Sequence, residues 1–338
     1  MGPPDRCEAD GLLLHLTKAL EVRQTLRPDD PTTSPCVFVL PTPYPIQAPN
    51  AKSMAFLYPY HFSSITPDAN LDVTFMYLYW SPLTEYPKES LDEPGLPHHA
   101  ILTTGIKYFE QNYLSDVVLY AGKYREIIRP AVQGALCRFV GGIPELDPRY
   151  CSNGKPDIPT VVITHSLGGY MFMDALNDIY NPRQKAGVPA PEHNAAFQVG
   201  SYLNQIFMLA NQLKILDLTT RTSELQSSHV MDTFRANLEH IDNQPKRRNY
   251  GPRQFVAISD PNDVLSWQIT DSEIEKPKAT VANVYLGTTG EIFGLYHTPI
   301  LEVAARPDLA HVNYLVDDDV IDIIVCGMTG STINRCAR

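Results

Sequence analysis

The sequence predicts an α/β fold in which a mostly parallel sheet is flanked by helices. Apolar runs rich in β-branched residues recur along the 338-residue chain, and stretches with helical periodicity separate them. One of these runs leads through a turn of small residues into a helix-forming segment, as in the units that build parallel sheets. Hydrophobic residues make up 43% of the chain and charged residues 19%, so it can bury a sizeable core. We expect a single domain over residues 1–338.

The N-terminal segments predict a helix, a buried strand and an irregular loop. Apolar residues at helical spacing predict an outer helix over 12–26, which Pro28 ends. Residues 36–40 form an apolar run between prolines, which predicts an early central strand buried on both faces. Six prolines alternate with aromatic residues over 41–67, so we expect a stiffened aromatic loop there, not a helix or a central strand.

The middle of the chain alternates between strand and helix patterns. Residues 73–80 combine β-branched and aromatic side chains and predict a strand, whereas 98–113 and 116–140 predict helices. Residues 205–210 predict a further strand, although a short apolar run of this kind is also compatible with a helix. The polar stretch 211–252 is expected to form a small cap or lid inserted into the domain.

The C-terminal third completes the alternation. Residues 254–259 predict a buried strand followed by a turn, at the kind of position where open α/β sheets carry ligand-binding groups. Residues 281–286 predict the last strand, and 317–326 predict a closing helix. A single sheet with one insertion is the simplest arrangement of these elements.

Charge and hydropathy exclude several classes of partner. The formal net charge is −11, and the longest basic run is the three residues 246–248, so nucleic acid and anionic membrane surfaces should be repelled. No apolar stretch approaches 18 residues, and acidic residues precede the apolar run at 12–14, which is the wrong flank for a signal peptide. We therefore expect a soluble protein without a transmembrane segment, with the cytoplasm slightly favoured as its compartment.

The six cysteines do not indicate a metal site. They are scattered, form no C-x-x-C pair and lie at no zinc-ligand spacing from histidine. Cys36 and Cys326 lie beside apolar runs and are expected to be small core residues. The other four are compatible with free thiols or with two disulfides: Cys7, Cys137, Cys151 and Cys336.

Residues 160–176 predict a strand, a sharp turn and a helix, with Ser166 on the turn. A serine on such a turn holds its hydroxyl clear of the sheet, and the following helix points its free N–H groups and its positive end at the same place. Alternatively, Ser166 only caps the helix that begins near Gly168, since serine is a favoured N-cap residue. The strand before the turn and the helix after it favour an activated nucleophile.

The five residues around Ser166, Thr-His-Ser-Leu-Gly over 164–168, resemble the nucleophile motif G-x-S-x-G of the α/β-hydrolase superfamily. The sequence His-Ser-Leu-Gly-Gly over 165–169 is similar to the motif of lipases and esterases. Thr164 departs from the pattern because it replaces the first glycine, where the turn accepts only small side chains. The resemblance implies an α/β-hydrolase domain with a serine nucleophile and a triad in the chain order Ser, Asp, His.

The resemblance implies that the triad acid lies just past the strand over 254–259, where Asp260 and Asp263 both qualify. Asp263 is preferred because the turn over 260–265 resembles the superfamily's acid turn, in which the acid is the fourth residue and an apolar pair follows. Asp260 is followed by proline and suits turn initiation better. The alternative is that both aspartates only form the turn.

The triad base is expected between the last strand and the last helix. His311 lies there, and residues 310–314 resemble the superfamily's catalytic-histidine loop. His297 is the competing candidate, and an exposed histidine without catalytic duty is the alternative for either. His165 precedes Ser166, where the superfamily often carries a histidine, and is expected to be structural.

The resemblance also implies an oxyanion hole made of two backbone N–H groups. One is that of Leu167, which follows the nucleophile, and the other comes from the loop after an early strand. Pro41 and Pro43 have no N–H, so Thr42 is the first candidate for the second donor and Tyr44 the next. The alternative is that this loop is a surface excursion whose aromatic residues only cover the core.

Taken together, these residues predict a serine hydrolase that cleaves carboxylic esters through Ser166, His311 and Asp263. The mechanism requires no cofactor and no metal. The aromatic loop and the cap suggest a small-molecule ester with an apolar or aromatic acyl part. An acyltransferase with the same triad is an alternative, as is a binding module on a hydrolase scaffold, because a fold does not fix a function.

Overall fold

A computed structural model of the protein describes residues 7, 9–25, 36–65, 71–89, 110–154, 159–180, 195–217, 230–242, 253–269, 279–287 and 307–326. Its helices are α1 (Asp10–Ala19), α2 (Pro82–Glu89), α3 (Ser115–Ala121), α4 (Arg125–Phe139), α5 (Gly168–Tyr180), α6 (Ala195–Tyr202), α7 (Leu213–Asp217), α8 (Val230–Asp242), α9 (Pro307–Val312) and α10 (Asp318–Cys326). Its strands are β1 (Val22–Gln24), β2 (Tyr44–Gln47), β3 (Met54–Ser64), β4 (Asp72–Tyr79), β5 (Ile143–Pro144), β6 (Cys151–Ser152), β7 (Thr160–His165), β8 (Leu203–Leu209), β9 (Arg253–Ser259) and β10 (Ala279–Tyr285).

A parallel four-stranded sheet has the order β10-β9-β8-β7. The strands are in register at their carboxyl ends, where His165 pairs with Leu209 and Leu209 with Ile258. The strands predicted over 205–210, 254–259 and 281–286 are thereby confirmed. Because parallel strands end at the same edge, the residues after β7 and after β9 are brought to one side of the sheet.

The central strands of this sheet, β8 and β9, are buried on both faces, which explains why they contain continuous apolar runs. On one face, Ile206 and Phe255 belong to a core cluster that also contains α5 and α8 residues such as Met173. On the other face, Phe207 and Val256 pack with residues of α1 and α10. The alternation of neighbouring residues between two clusters follows from the two-residue period of a strand. The arrangement is a mixed α/β structure with helices on both faces of a parallel sheet.

A second, antiparallel sheet corrects the prediction of a strandless loop over 41–67. Strand β3 lies in its centre, pairing with β4 along one edge and with β1 and β2 along the other. The sheet tolerates both prolines. Pro45 lies in the short edge strand β2. Pro59 lies in β3, after the residues that pair with β2 and before those that pair with β1. A missing N–H at that gap removes no ladder hydrogen bond. The single sheet that the sequence predicted is therefore wrong, because the strand predicted over 73–80 lies in the antiparallel sheet as β4.

The prediction of a buried central strand over 36–40 is wrong. These residues form bends, and the Val37 side chain is 64% exposed. Side chains provide the partners that a strand would otherwise supply, since the Val37 N–H donates to Asp10 at 2.7 Å and the Val39 N–H donates to Gln24 at 2.9 Å. The predicted helix over 12–26 is also shorter than expected, because it ends at Ala19 and gives way to β1.

Helix α5, which follows the turn at Ser166, is fixed to α3 and α4 by a buried carboxylate. Asp174 is 4% exposed and accepts hydrogen bonds from the Tyr120 hydroxyl at 2.8 Å and from Arg125 Nε at 2.9 Å. A buried carboxylate needs such partners because its desolvation is costly. This contact links α5 to the helical stretch predicted over 116–140, which the structure divides into α3 and α4.

Within the segment 211–252, the structure describes α7 and α8. Helix α8 packs against α5 through Phe234, whose ring meets that of Phe172 at 6.0 Å. Phe234 is 1% exposed and also contacts Phe255 of β9. This helix is therefore part of the layer that covers the parallel sheet. The interpretation of the segment as a cap stays a prediction.

Disulfides cross-link the described chain. Cys7 is bonded to Cys36, Cys137 is bonded to Cys151, and Cys326 is also disulfide-bonded. The expectation that Cys36 and Cys326 are plain core thiols is therefore wrong. Disulfides persist mainly in oxidising compartments, and the compartment expected from the sequence stays a prediction. None of the helices in the described ranges has the length and apolarity needed to cross a membrane.

Candidate active site

Ser166 occupies a strained turn between β7 and α5. Its φ is +55°, in the left-handed region that residues with a Cβ rarely adopt. The turn is held because the Ser166 N–H donates to the Leu209 carbonyl at 2.8 Å and so extends the pairing of β7 with β8. Strain of this kind persists only where the surroundings over-determine it, and it is concentrated at functional sites.

Thr164 is accommodated in this turn because two glycines face it. A Cβ placed on Gly168 would lie 3.6 Å from Thr164 Cβ, and one placed on Gly169 would lie 3.2 Å from its Oγ1. The Thr164 hydroxyl donates to the Phe207 carbonyl at 3.2 Å, so its polarity is satisfied although the residue is buried. The departure from the glycine pattern is thus compatible with the turn.

Three residues that are distant in sequence form one chain of hydrogen bonds. His311 Nε2 lies 2.9 Å from Ser166 Oγ, and His311 Nδ1 lies 3.0 Å from each carboxylate oxygen of Asp263. The side chains of His311 and Asp263 are fully buried, whereas Ser166 is only partly buried. Because Asp263 can only accept when ionised, Nδ1 carries the proton and Nε2 is free to accept one from the serine.

Asp263 is held by the turn that follows β9. Its N–H donates to the Asp260 carbonyl at 3.0 Å, and its Oδ1 accepts from the Leu265 N–H at 3.0 Å. The carboxylate of Asp260 instead faces the backbone of the same turn, where its Oδ1 accepts from the Asn262 N–H at 2.7 Å. Of the two aspartates that the sequence left as candidates, the structure brings Asp263 to His311.

His165 contacts the backbone of helix α9 at His311. Its Nε2 donates to the His311 carbonyl at 2.6 Å, and the two imidazole rings lie 5.0 Å apart. Burial and, to a smaller extent, the neighbouring His311 lower the pKa of His165 to about 4. A neutral His165 bearing its proton on Nε2 therefore links the end of β7 to helix α9, which carries His311 where the sequence predicted a loop.

The lowered pKa of His165 predicts pH-dependent stability. In the unfolded chain His165 is protonated below about pH 6.5, whereas in the folded protein it stays neutral down to about pH 4. The unfolded state therefore binds more protons in this window, and acidification destabilises the fold by at most about 3 kcal/mol through this residue. We expect His165→Gln, which keeps an N–H donor but does not titrate, to show a smaller fall in melting temperature between pH 6.5 and 4 by circular dichroism. Equal falls in both proteins would contradict this prediction.

The two candidate oxyanion donors lie in different surroundings. Leu167 is 2% exposed and directly follows Ser166, and its carbonyl accepts the Met171 N–H in the first turn of α5. Thr42 is exposed and leads into β2 of the antiparallel sheet. The roles of both residues stay predictions. His297, the competing base, lies outside the described residues.

Two tyrosines at this site were not predicted. The ring of Tyr113 stands edge-on to His311 at 5.1 Å, from a π-helical turn over Glu110–Leu114. Tyr314 reaches Asp263 with its hydroxyl at 3.2 Å. Tyr314 lies three residues after His311, a helical spacing that places both side chains on the same face, and this spacing was the available signal.

One group of possible metal ligands occurs in the described residues, formed by Cys7, Asp10 and Cys36 within 4.8 Å. The two sulfurs are joined in a disulfide, so neither is a thiolate. The group lacks the ligands that a metal ion of the zinc class requires.

The chain is at most distantly similar to the proteins compared with it. No protein-family profile matches the sequence, and no curated protein matches it. Among solved structures, the crystal structure of Acetyl Xylan Esterase 1 from Thermoanaerobacterium sp. JW/SL YS485 is 11% identical, covering 89% of this chain and 94% of that chain with a TM-score of 0.22. A likeness this weak carries no argument about fold or activity, so the function must be argued from the site.

Proposed function

We propose that the protein is a serine hydrolase of carboxylic esters with an α/β-hydrolase domain, in which 211–252 forms a cap. The observation that carries the proposal is the hydrogen-bonded series Ser166, His311 and Asp263, with His311 Nε2 at 2.9 Å from Ser166 Oγ. A serine hydroxyl is a weak nucleophile at its ordinary pKa and needs an adjacent base. An oriented, buried imidazole at hydrogen-bond distance meets that requirement.

Acylation follows from this geometry. Ser166 Oγ forms a bond to the ester carbonyl carbon while its proton passes to His311 Nε2. Asp263 accepts a hydrogen bond from the Nδ1–H group of His311 and stabilises the imidazolium that results. The developing oxyanion would be held by the Leu167 N–H at the start of α5, whose positive end favours negative charge, with Thr42 as the second donor. Collapse breaks the bond to the alcohol oxygen, which leaves with the proton from His311.

Deacylation repeats these steps with water. A water molecule gives a proton to His311 Nε2 and forms a bond to the acyl carbon. Collapse then breaks the bond to Ser166 Oγ, which recovers the proton and releases the carboxylic acid. Two moderate barriers replace one high barrier, which is the advantage of covalent catalysis.

The proposed substrate is a small ester with an apolar or aromatic part. Two features support this class of substrate. Val264, which directly follows Asp263 at the carboxyl edge of the sheet, is 58% exposed, and the Tyr113 ring packs on His311. Apolar and aromatic walls around a few polar groups are typical of small-molecule sites.

Labelling with a fluorophosphonate tests the proposal, because this reagent reacts with an activated serine and leaves a stable adduct. We expect one adduct by intact mass, located on the peptide that contains Ser166, and loss of p-nitrophenyl butyrate hydrolysis in step with labelling. Adduct formation on a different serine, or hydrolysis that survives complete labelling of Ser166, would overturn the proposal.

A further inference from the structure

Tyr314 is buried against the proposed triad. Its side chain is fully buried, in a 3-10 turn over Asn313–Leu315 that directly follows α9. The residue packs with apolar side chains of β8, β9 and α10, so a purely structural role has to be weighed. Phenylalanine would fill that apolar environment equally well, and the hydroxyl therefore needs its own explanation.

The hydroxyl of Tyr314 joins two parts of the turn after β9. Its oxygen accepts the hydrogen bond of the Asp260 N–H, and its proton is donated to Asp263 Oδ2 at 3.2 Å. A backbone N–H can only donate, so the direction of the first bond is fixed and the tyrosine proton is available to the carboxylate. The Ser266 side chain is a further hydrogen-bond partner of the Tyr314 hydroxyl. Burial, and then the charge of Asp263, raise the pKa of Tyr314, so the hydroxyl keeps its proton.

Asp263 is consequently held by two residues of the same segment. His311 Nδ1 lies 3.0 Å from Oδ2, the oxygen that also accepts from Tyr314. A donor on a carboxylate fixes its plane and disperses its charge. The distance and plane of the carboxylate determine how well it orients His311, and the dispersed charge determines how strongly it stabilises the imidazolium.

We propose that Tyr314 is a positioning residue that acts through Asp263, fixing the carboxylate towards His311 and moderating the charge that His311 feels. This inference rests on the proposed function, because Asp263 and His311 have the roles assigned there. It adds a fourth residue to the hydrogen-bonded series that begins at Ser166. The titratable groups that face His311 and Asp263 in the described chain are Asp260, His165, Tyr113 and Tyr314.

The Tyr314→Phe variant tests the proposal, and Tyr120→Phe is its matched control. Tyr120 is equally buried, and its hydroxyl also donates to a buried carboxylate, that of Asp174, which lies outside the series. We expect Tyr314→Phe to lower kcat about tenfold with little change in KM. In the pH profile of kcat/KM, the acid limb of this variant should move to higher pH by about half a unit. The reason is that a carboxylate that has lost a hydrogen-bond donor favours protonated His311 more strongly. Tyr120→Phe should shift neither kcat nor the limb.

A second substitution guards against simple loss of folding. Incorporation of 3-fluorotyrosine at position 314 keeps both hydrogen bonds and makes the hydroxyl a stronger donor, so the acid limb should move to lower pH. The positioning role is overturned if Tyr314→Phe leaves the limb in place, or if both substitutions move it in the same direction.

Failure of the proposed function can be distinguished from failure of this inference. Absence of fluorophosphonate labelling in the wild-type protein would overturn the hydrolase proposal. The His311 titration can still be followed by NMR without turnover, and its midpoint should move upward in Tyr314→Phe and stay in place in Tyr120→Phe. An unchanged midpoint in both variants would overturn the inference about Tyr314 alone.

Discussion

Ester hydrolysis is expected to disappear in Ser166→Ala, with kcat falling about 10⁴-fold or more. The substitution removes the nucleophilic oxygen that lies 2.9 Å from His311 Nε2 and leaves the imidazole in place. Alanine has the same backbone strain as serine at a φ of +55°, and the hydroxyl is only partly buried. The melting temperature should therefore stay within a few degrees of wild type, as measured by circular dichroism alongside steady-state kinetics.

Ser152→Ala is a suitable control for this experiment. The Ser152 hydroxyl donates to Glu145 at 2.7 Å at an exposed position in the short hairpin of β5 and β6. Its loss should leave both turnover and fluorophosphonate labelling unchanged. Substantial hydrolysis by folded Ser166→Ala would show that another group performs the reaction.

Asp263→Asn is expected to lower kcat/KM by roughly a thousandfold. Asparagine keeps the size of the side chain but supplies no charge for the imidazolium. Its amide can also donate to His311 Nδ1, and the histidine proton would then lie on Nε2. A protonated Nε2 can no longer accept the proton of Ser166. Steady-state kinetics on a p-nitrophenyl ester would measure the loss, with melting temperature as the check on folding.

Asp260→Asn is the internal comparison, since both substitutions are nearly isosteric and lie in the same turn. The carboxylate of Asp260 accepts from the Asn262 N–H, and the side-chain oxygen of asparagine can do the same. The Asp260 N–H to Tyr314 is retained, so we expect a loss of only about tenfold. If Asp260→Asn were the inactive variant and Asp263→Asn kept most of its turnover, Asp260 would be the acid and the assignment of Asp263 would be wrong.

Local pattern was sufficient to predict the parallel sheet. The central strands β8 and β9 are buried on both faces, so each contains a continuous apolar run that can be recognised without knowledge of its neighbours. The antiparallel sheet could not be predicted in this way. Whether Pro59 is tolerated in β3 depends on where β1 and β2 pair with that strand, and such pairing is a property of the folded chain.

The candidate site shows the same division. Ser166 was predicted from the strand before it and the helix after it, and Asp263 and His311 from the resemblance of their segments and chain order to those of the α/β-hydrolase superfamily. The structure brings the three residues within hydrogen-bond distance. Asp260 could be set aside only once the direction of its carboxylate was known. The spacing of Tyr314 from His311 was a signal, but it did not distinguish Tyr314 from a core aromatic residue, since the contact with Asp263 exists only when α9 packs against the turn after β9.

At Ser166 the residue that the proposed activity needs is not the residue that would make the fold most stable, because the backbone there is left-handed. Any residue with a Cβ in this conformation is less stable than glycine by about 1–2 kcal/mol. A laboratory selection that rewards heat resistance alone would therefore accept glycine at 166 and lose the hydroxyl with it. Variants selected for heat resistance and turnover together must keep the strain and gain their stability at other positions of the chain.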